Sequence, residues 1–224
     1  MFGPIILSVK VALLATVIAF FLGVFFAYLL TKRRVPGKNI WETILILPMI
    51  LPPSIVGYLL LKVFGKRGLI GAFLLDTFGI QVVFTWIACV IAASVVALSL
   101  MYQNAKGAFQ SVDPSLELAA KTLGSSPFKV FCTVTFPLSG PGIISGIVLT
   151  FARALGEFGA TLMLAGNIPG KTQTIPTAIY YSVVTGKEDK AMSLVVVMVV
   201  FSFALVFGLN VWLKKKNHRD STRR

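Results

Sequence analysis

Acidic residues are scarce in this chain, with eight Asp and Glu among 224 residues against 21 Lys and Arg. There is one histidine, His218, and there are two cysteines, Cys89 and Cys132. His218 lies in a basic tail, Cys89 inside an apolar run, and Cys132 just after a polar segment. Such a set offers no metal site, no nucleophile with its base and no pair of carboxylates for acid–base work. No catalytic residue, metal or cofactor is therefore expected in this chain. A disulfide between the two cysteines is not expected either, so they say nothing about redox compartment. A phosphate-binding loop is also missing. Gly170-Lys171-Thr172 imitates the end of one, but the place of its first glycine is taken by Ala165, and no strand precedes it.

What the chain has in abundance is apolar sequence: 56% of residues are hydrophobic and mean hydropathy is +0.87. The runs are too long for soluble helices, which makes the bilayer the expected solvent. Five spans are predicted, at about 5–31, 41–64, 82–104, 140–164 and 191–213. Each is long enough at 1.5 Å per residue to cross a roughly 30 Å hydrocarbon core. The first lacks the basic start and small-residue cleavage site of a signal peptide. Two shorter apolar stretches, 69–80 and 174–184, cannot cross; re-entrant, interfacial and ordinary surface placements all suit them.

The net charge of +13 would often point to nucleic acid, but its distribution points to membrane orientation. Six basic residues lie between Lys214 and Arg224, and Lys32, Arg33, Arg34 and Lys38 cluster after the first span. If the tail is cytoplasmic, that side carries thirteen basic residues and the other side five. The expectation is an N-terminus outside, a C-terminus inside, membrane lipid as a partner and no nucleic acid. The domain reading is one membrane domain over 5–214 and a basic tail over 215–224.

One long polar segment interrupts the apolar pattern. Asp113–Pro137 reads DPSLELAAKTLGSSPFKVFCTVTFP. Asp113 suits a helix N-cap and Pro114 the first helical position. Leu116, Ala119, Ala120 and Leu123 recur at helical spacing, and Gly124 suits a left-handed C-terminal position. Ser126 and Pro127 restart a second helix. The product is a helix pair with a small apolar face to which a partner backbone can come close. An interfacial helix lying on lipid is the competing reading, weakened by the shortage of Lys and Arg on that face.

Charge inside the fourth span is the second unusual feature. Arg153 and Glu157 are four residues apart, on one face with Thr150 and Thr161, beside a small-residue ridge of Ala152, Gly156 and Ala160. Intramembrane charges are costly and are usually internal and paired. Arg before Glu is the less favourable order along one helix, which suggests partners on other helices. Two readings stand: a structural ion pair, or a lining or gate element of an anion path. Pro48, Pro52, Pro53 and Gly57 should bend the second span, as in transporters with broken helices near a pathway.

The polar segment resembles the EAA loop of type I ABC-transporter permeases, with Ala119, Ala120, Gly124, Val134 and Pro137 in matching places. It departs from that pattern in having Leu118 where the family has Glu, the acid standing one place earlier at Glu117. The stretches Phe151–Pro176 and Leu51–Leu61 resemble the molybdate permease subunits of that family, through GEFGAT, NIPG-x-T-x-TIP and LPPSIVGYLLL. The resemblance covers nearly the whole chain. It implies an all-α membrane protein of the type I ABC permease fold with a cytoplasmic coupling helix, in a bacterial inner membrane. It also implies a second copy of the chain, two separate ATPase subunits that bind ATP, and a periplasmic molybdate-binding protein. Asp113, Glu117, Ala119, Ala120 and Gly124 would couple to the ATPase. Pro52, Pro53, Thr150, Arg153, Gly156, Glu157 and Thr161 would belong to a translocation path or gate. A sulfate or thiosulfate permease, sharing much of GEFGA, is the alternative. A gradient-driven transporter would have no use for the docking loop, and a membrane enzyme has no supporting constellation.

Overall fold

The computed structural model describes residues 2–33 and 35–221, with side chains as far as Lys215. Every regular element among the described residues is helical. The long ones are α1 (Phe2–Lys32), α5 (Trp86–Gln110) and α12 (Glu188–Ser221), and each alone can cross a membrane. Between α1 and α5 come α2 (Lys38–Ile50), α3 (Pro53–Phe64) and α4 (Leu69–Phe78). After α5 come α6 (Pro114–Thr122), α7 (Pro127–Val130), a π-helical segment π1 (Phe131–Thr135) and α8 (Phe136–Leu138). Then follow α9 (Gly140–Leu155), α10 (Gly159–Ala165) and α11 (Ile175–Val184).

α5 is the central post. Its alanines 88, 92, 93, 97 and 105 are fully buried, as are Ala12, Ala15, Ala19 and Ala27 of α1. Small residues let helix axes approach where lipid supplies no hydrophobic drive. Gly23 of α1 shows how tight the fit is: a Cβ there would lie 2.9 Å from Met101 Cγ and 3.1 Å from the Tyr102 nitrogen.

Contacts along α5 give each neighbour its direction. Lys10 lies over Trp86 and Gly23 against Met101, so α1 runs parallel to α5. Glu42 meets Lys106, and Leu45 accepts from Ser99, so α2 runs antiparallel. Gly142 lies on Ala108, Gly146 on Asn104 and Thr150 on Met101, so α9 also runs antiparallel. α12 opposes α9, with Phe201 near Phe151 and Met198 near Gly156. The two ends of the described chain therefore lie at opposite ends of the bundle. One end, called the base here, gathers Lys32, Glu42, Lys106 and α6.

Two expected spans are not continuous. The segment expected at 41–64 breaks at Leu51 and Pro52, and α2 and α3 are bent by 114°. Pro52 and Pro53 remove consecutive N–H donors there, and neither piece alone reaches across a bilayer. The segment expected at 140–164 ends as α9 at Leu155 and resumes as α10. A further bend of 70° separates the stretch 127–138 from α9. The span expected to start at 82 begins at Trp86, because the Thr85 hydroxyl caps it. The stretches 69–80 and 174–184 contain the short helices α4 and α11. α12 continues into the expected tail as far as Ser221; side chains beyond Lys215, including His218, lie outside the described ones.

Candidate functional site

The polar segment folds as its residues predict. Asp113 caps α6, its carboxylate accepting from the Ser115 N–H at 2.8 Å, with Pro114 in the first turn. That bond from a backbone donor holds the Asp113 carboxyl below its ordinary pKa. Gly124 has φ +81°, the left-handed conformation expected of it. The Ser126 hydroxyl accepts from the Lys129 N–H at 3.4 Å and starts α7.

α6 stands off the bundle. Leu116, Leu118, Leu123 and Phe128 project outward, with 85% of Leu123 and 74% of Phe128 exposed. Ala119 is exposed and Ala120 half-buried. Glu117 alone among the α6 residues is buried, and it faces the bundle, away from the outward apolar surface. Its Oε1 receives the Lys32 ammonium at 2.6 Å and the Thr135 hydroxyl at 2.8 Å. Burial raises the Glu117 pKa, but the donations from Lys32 and Thr135 and the charge of Lys121 outweigh it, and the net shift is downward. Glu117 therefore ties α6 to the end of α1 and to π1. Phe131 of π1 completes the joint, its ring 4.3 Å from Tyr28 and 5.7 Å from Phe109, centre to centre.

A second constellation forms where the helices break. Gly159 faces Pro53, where a Cβ would lie 2.9 Å from Pro53 Cβ. At Gly57 a Cβ would meet Met163 Cβ at 2.7 Å and Ala160 Cα at 2.8 Å. The small residues of α10 thus seat it against α3. Glu157, 3% exposed, accepts from the Ala160 N–H at 3.0 Å and so caps α10. Its other oxygen lies 2.9 Å from Arg153 Nη1. The expected partners on other helices are therefore not found among the described residues: Arg153 and Glu157 pair with each other. The break makes this possible, since Glu157 lies beyond the end of α9 and does not occupy a regular helical position.

The expected single face of Thr150, Arg153, Glu157 and Thr161 is also divided by the break. Thr150 and Thr161 are almost fully buried within the chain, Thr150 directed at the Met101 sulfur at 3.7 Å. Pro52, Pro53 and Gly156 are exposed, and Arg153 is half-buried. The structure adds groups that the sequence did not single out. Glu42 binds Lys106 at 2.9 Å across α2 and α5. A groove of about 410 Å³ between α5 and α9 carries Gln103, Asn104 and Ser145 beside Gly107 and Gly142. Polar residues amid apolar helices were the available signal.

A helical bundle with a stand-off helix pair at its base and broken helices at its centre is the architecture of an importer's membrane subunit. The chain belongs to the family described as binding-protein-dependent transport system inner membrane component, which matches residues 19–219. The molybdenum transport system permease protein ModB of Escherichia coli K12 is 45% identical, covering 94% of this chain and 92% of that one. The putative molybdenum transport system permease protein YvgM of Bacillus subtilis is also 45% identical, over 97% and 94%. The sulfate transport system permease protein CysT of Escherichia coli K12 is 31% identical, over 92% and 76%. Among solved structures, a bacterial ABC transporter that imports alginate superposes with TM-score 0.75 at 20% identity, over 96% and 79%. The inward-facing MetNI methionine ABC transporter gives 0.72 at 15%, over 95% and 94%. At those identities the structures establish the fold.

Proposed function

We propose that this chain is the membrane-spanning subunit of an ATP-driven importer for molybdate, with tungstate, an oxyanion of nearly the same size and charge, as a second substrate. The observation that carries the substrate is the higher identity to the molybdenum permeases than to the sulfate permease, over nearly full length. GEFGAT and NIPGKTQTIP supply the local support.

Coupling to a separate ATPase is supported by α6. Leu116, Leu118, Leu123 and Phe128 are all exposed on a segment outside the spans, and this much exposed apolar side chain calls for a protein cover. Asp113, Ala119, Ala120 and Gly124 shape that segment, and Glu117 anchors it from behind. Two ATPase subunits would grip the α6 helices of two copies of this chain. α12 suits the contact with lipid or with a second copy, since its apolar side chains, Phe203 and Phe207 among them, are exposed on the single chain. The base faces the cytoplasm in this reading, supported by the excess of Lys and Arg there. A periplasmic binding protein would deliver the anion at the opposite end.

Transport proceeds by alternating access. Closure of the ATPases moves α6, and the Lys32–Glu117–Thr135 joint passes that motion to α1 and π1. Pro52, Pro53, Arg153, Gly156 and the α5–α9 groove border the path, with Glu157, Thr150 and Thr161 behind it. Hydroxyls, amides and one cation already paired with a carboxylate suit a transient dianion path better than free cations, which would trap it. The test is ATP hydrolysis by the reconstituted complex with the binding protein loaded with molybdate, tungstate or sulfate. Stimulation by molybdate and tungstate supports the reading. Stimulation by sulfate alone would reassign the substrate, and failure of any ATPase to assemble would remove the coupling role of α6.

A further inference from the structure

We propose that the cavity behind α6 binds a phosphate group, carried by an anionic membrane lipid. The cavity has a volume of about 200 Å³ and opens at the joint between α1, α6 and π1. That volume equals six or seven waters at roughly 30 Å³ each, room for a phosphate and part of its hydration shell. Lys32, Arg33 and Lys121 line it, together with Glu117.

The carboxylate does not cancel this set. Glu117 is already occupied by Lys32 at 2.6 Å and by Thr135 at 2.8 Å. Arg33 and Lys121 have no carboxylate within salt-bridge distance among the described residues, and Glu117, which also feels the charge of Lys121, is one carboxylate against the three cations of the lining, so the cavity keeps a net positive charge. A guanidinium and an ammonium are the donors that recognise phosphate oxygens, the first by a planar fork and the second as a point charge.

Position favours a lipid over a free ion. Lys32 ends α1, a 31-residue apolar helix, so the cations stand where a spanning helix leaves the hydrocarbon. Tyr28, one turn deeper on α1, and Phe131 form the apolar side of the same cavity. A phosphate between the cations would thus leave its acyl chains running along α1. Basic pockets beside spanning helices at the cytoplasmic face take anionic headgroups in this way. Headgroups line both faces of a bilayer, so the proposal stands whichever way the chain is inserted. Occupancy would tie α6 more firmly to α1.

The test is native mass spectrometry of the full-length chain, purified in mild detergent and offered phosphatidylglycerol, phosphatidylcholine or inorganic phosphate. Arg33→Gln with Lys121→Gln is the test variant, and Lys187→Gln with Lys190→Gln, far along the chain, is the control. The wild type and the control should retain phosphatidylglycerol, and the test variant should retain it roughly tenfold less, at an unchanged melting temperature. Equal retention by the test variant, or equal retention of phosphatidylcholine by the wild type, overturns the proposal. Adducts of inorganic phosphate without lipid adducts would make the free ion the occupant and overturn the lipid assignment.

Discussion

Lys32 and Glu117 meet at 2.6 Å, joining the last residue of the first helix to the middle of the stand-off helix α6. The contact is sheltered, the side chains being 21% and 12% exposed. It makes α6 a lever fastened at one point, since no other α6 residue is buried.

Glu117→Gln should loosen that lever and leave the bundle standing. A sheltered pair of this kind lies between exposed and fully buried ones, so the loss is about 1–3 kcal/mol of local stability. Hydrogen exchange should show faster exchange in α6 with α5 unchanged. Unchanged α6 protection would mean that the joint does not hold it.

Acid should release the same joint. The Glu117 pKa is lowered in the folded chain, so its contribution is fully present above the ordinary Glu value of about 4.3 and is lost as pH falls through the lower folded value. Protection of the α6 amides, taken relative to the intrinsic exchange rate at each pH, should be flat from neutral pH to about pH 4.5 and fall below it. A loss of protection already complete between pH 7 and 5 would exclude Glu117 as the responsible group.

Gly57→Val should separate α3 from α10. Its Cβ alone would approach Ala160 Cα at 2.8 Å, and backbone there cannot swing aside. Overpacking of this kind costs about 1–3 kcal/mol or more. A lowered melting temperature of the purified chain is expected, with Gly3→Val, which meets open space, as the neutral control.

Arg153→Met should be worse than the double change Arg153→Met with Glu157→Gln. The single change strands a buried carboxylate, while the double keeps an acceptor for the Ala160 N–H and removes the charge. Arg153 is partly exposed, which holds the difference to about 1–2 kcal/mol. Equal melting temperatures for the two variants would show that the pair contributes nothing.

The three unbroken spans could be read directly from the sequence, because long apolar runs have few other homes. So could the caps of α6 and α7, whose Asp-Pro and Ser-Pro starts act locally. The break after Leu155 was hidden because the apolar residues on either side of Gly156–Ala160 read as one run long enough to span. Its cause is two glycines and a carboxylate that bonds to an amide three residues ahead, and single-helix periodicity does not reveal that. The inward turn of Glu117 was hidden for another reason: its partners, Lys32 and Thr135, belong to segments that only folding brings together.

The five residues of π1 have a consequence for chain length. A π turn holds one residue more than an α turn, and each residue of an α-helix advances by about 100°. Relaxing this stretch to α at unchanged length would leave one residue too many for the turn and swing Thr135 away from Glu117, whereas removing one residue between Phe131 and Thr135 would restore the turn count and keep Thr135 near its present direction. A one-residue deletion is thus the length change this stretch can absorb, and an insertion is not, while its surface residues remain free to change: here the winding of the chain, more than the chemistry of any side chain, sets the phase between the lever and the bundle.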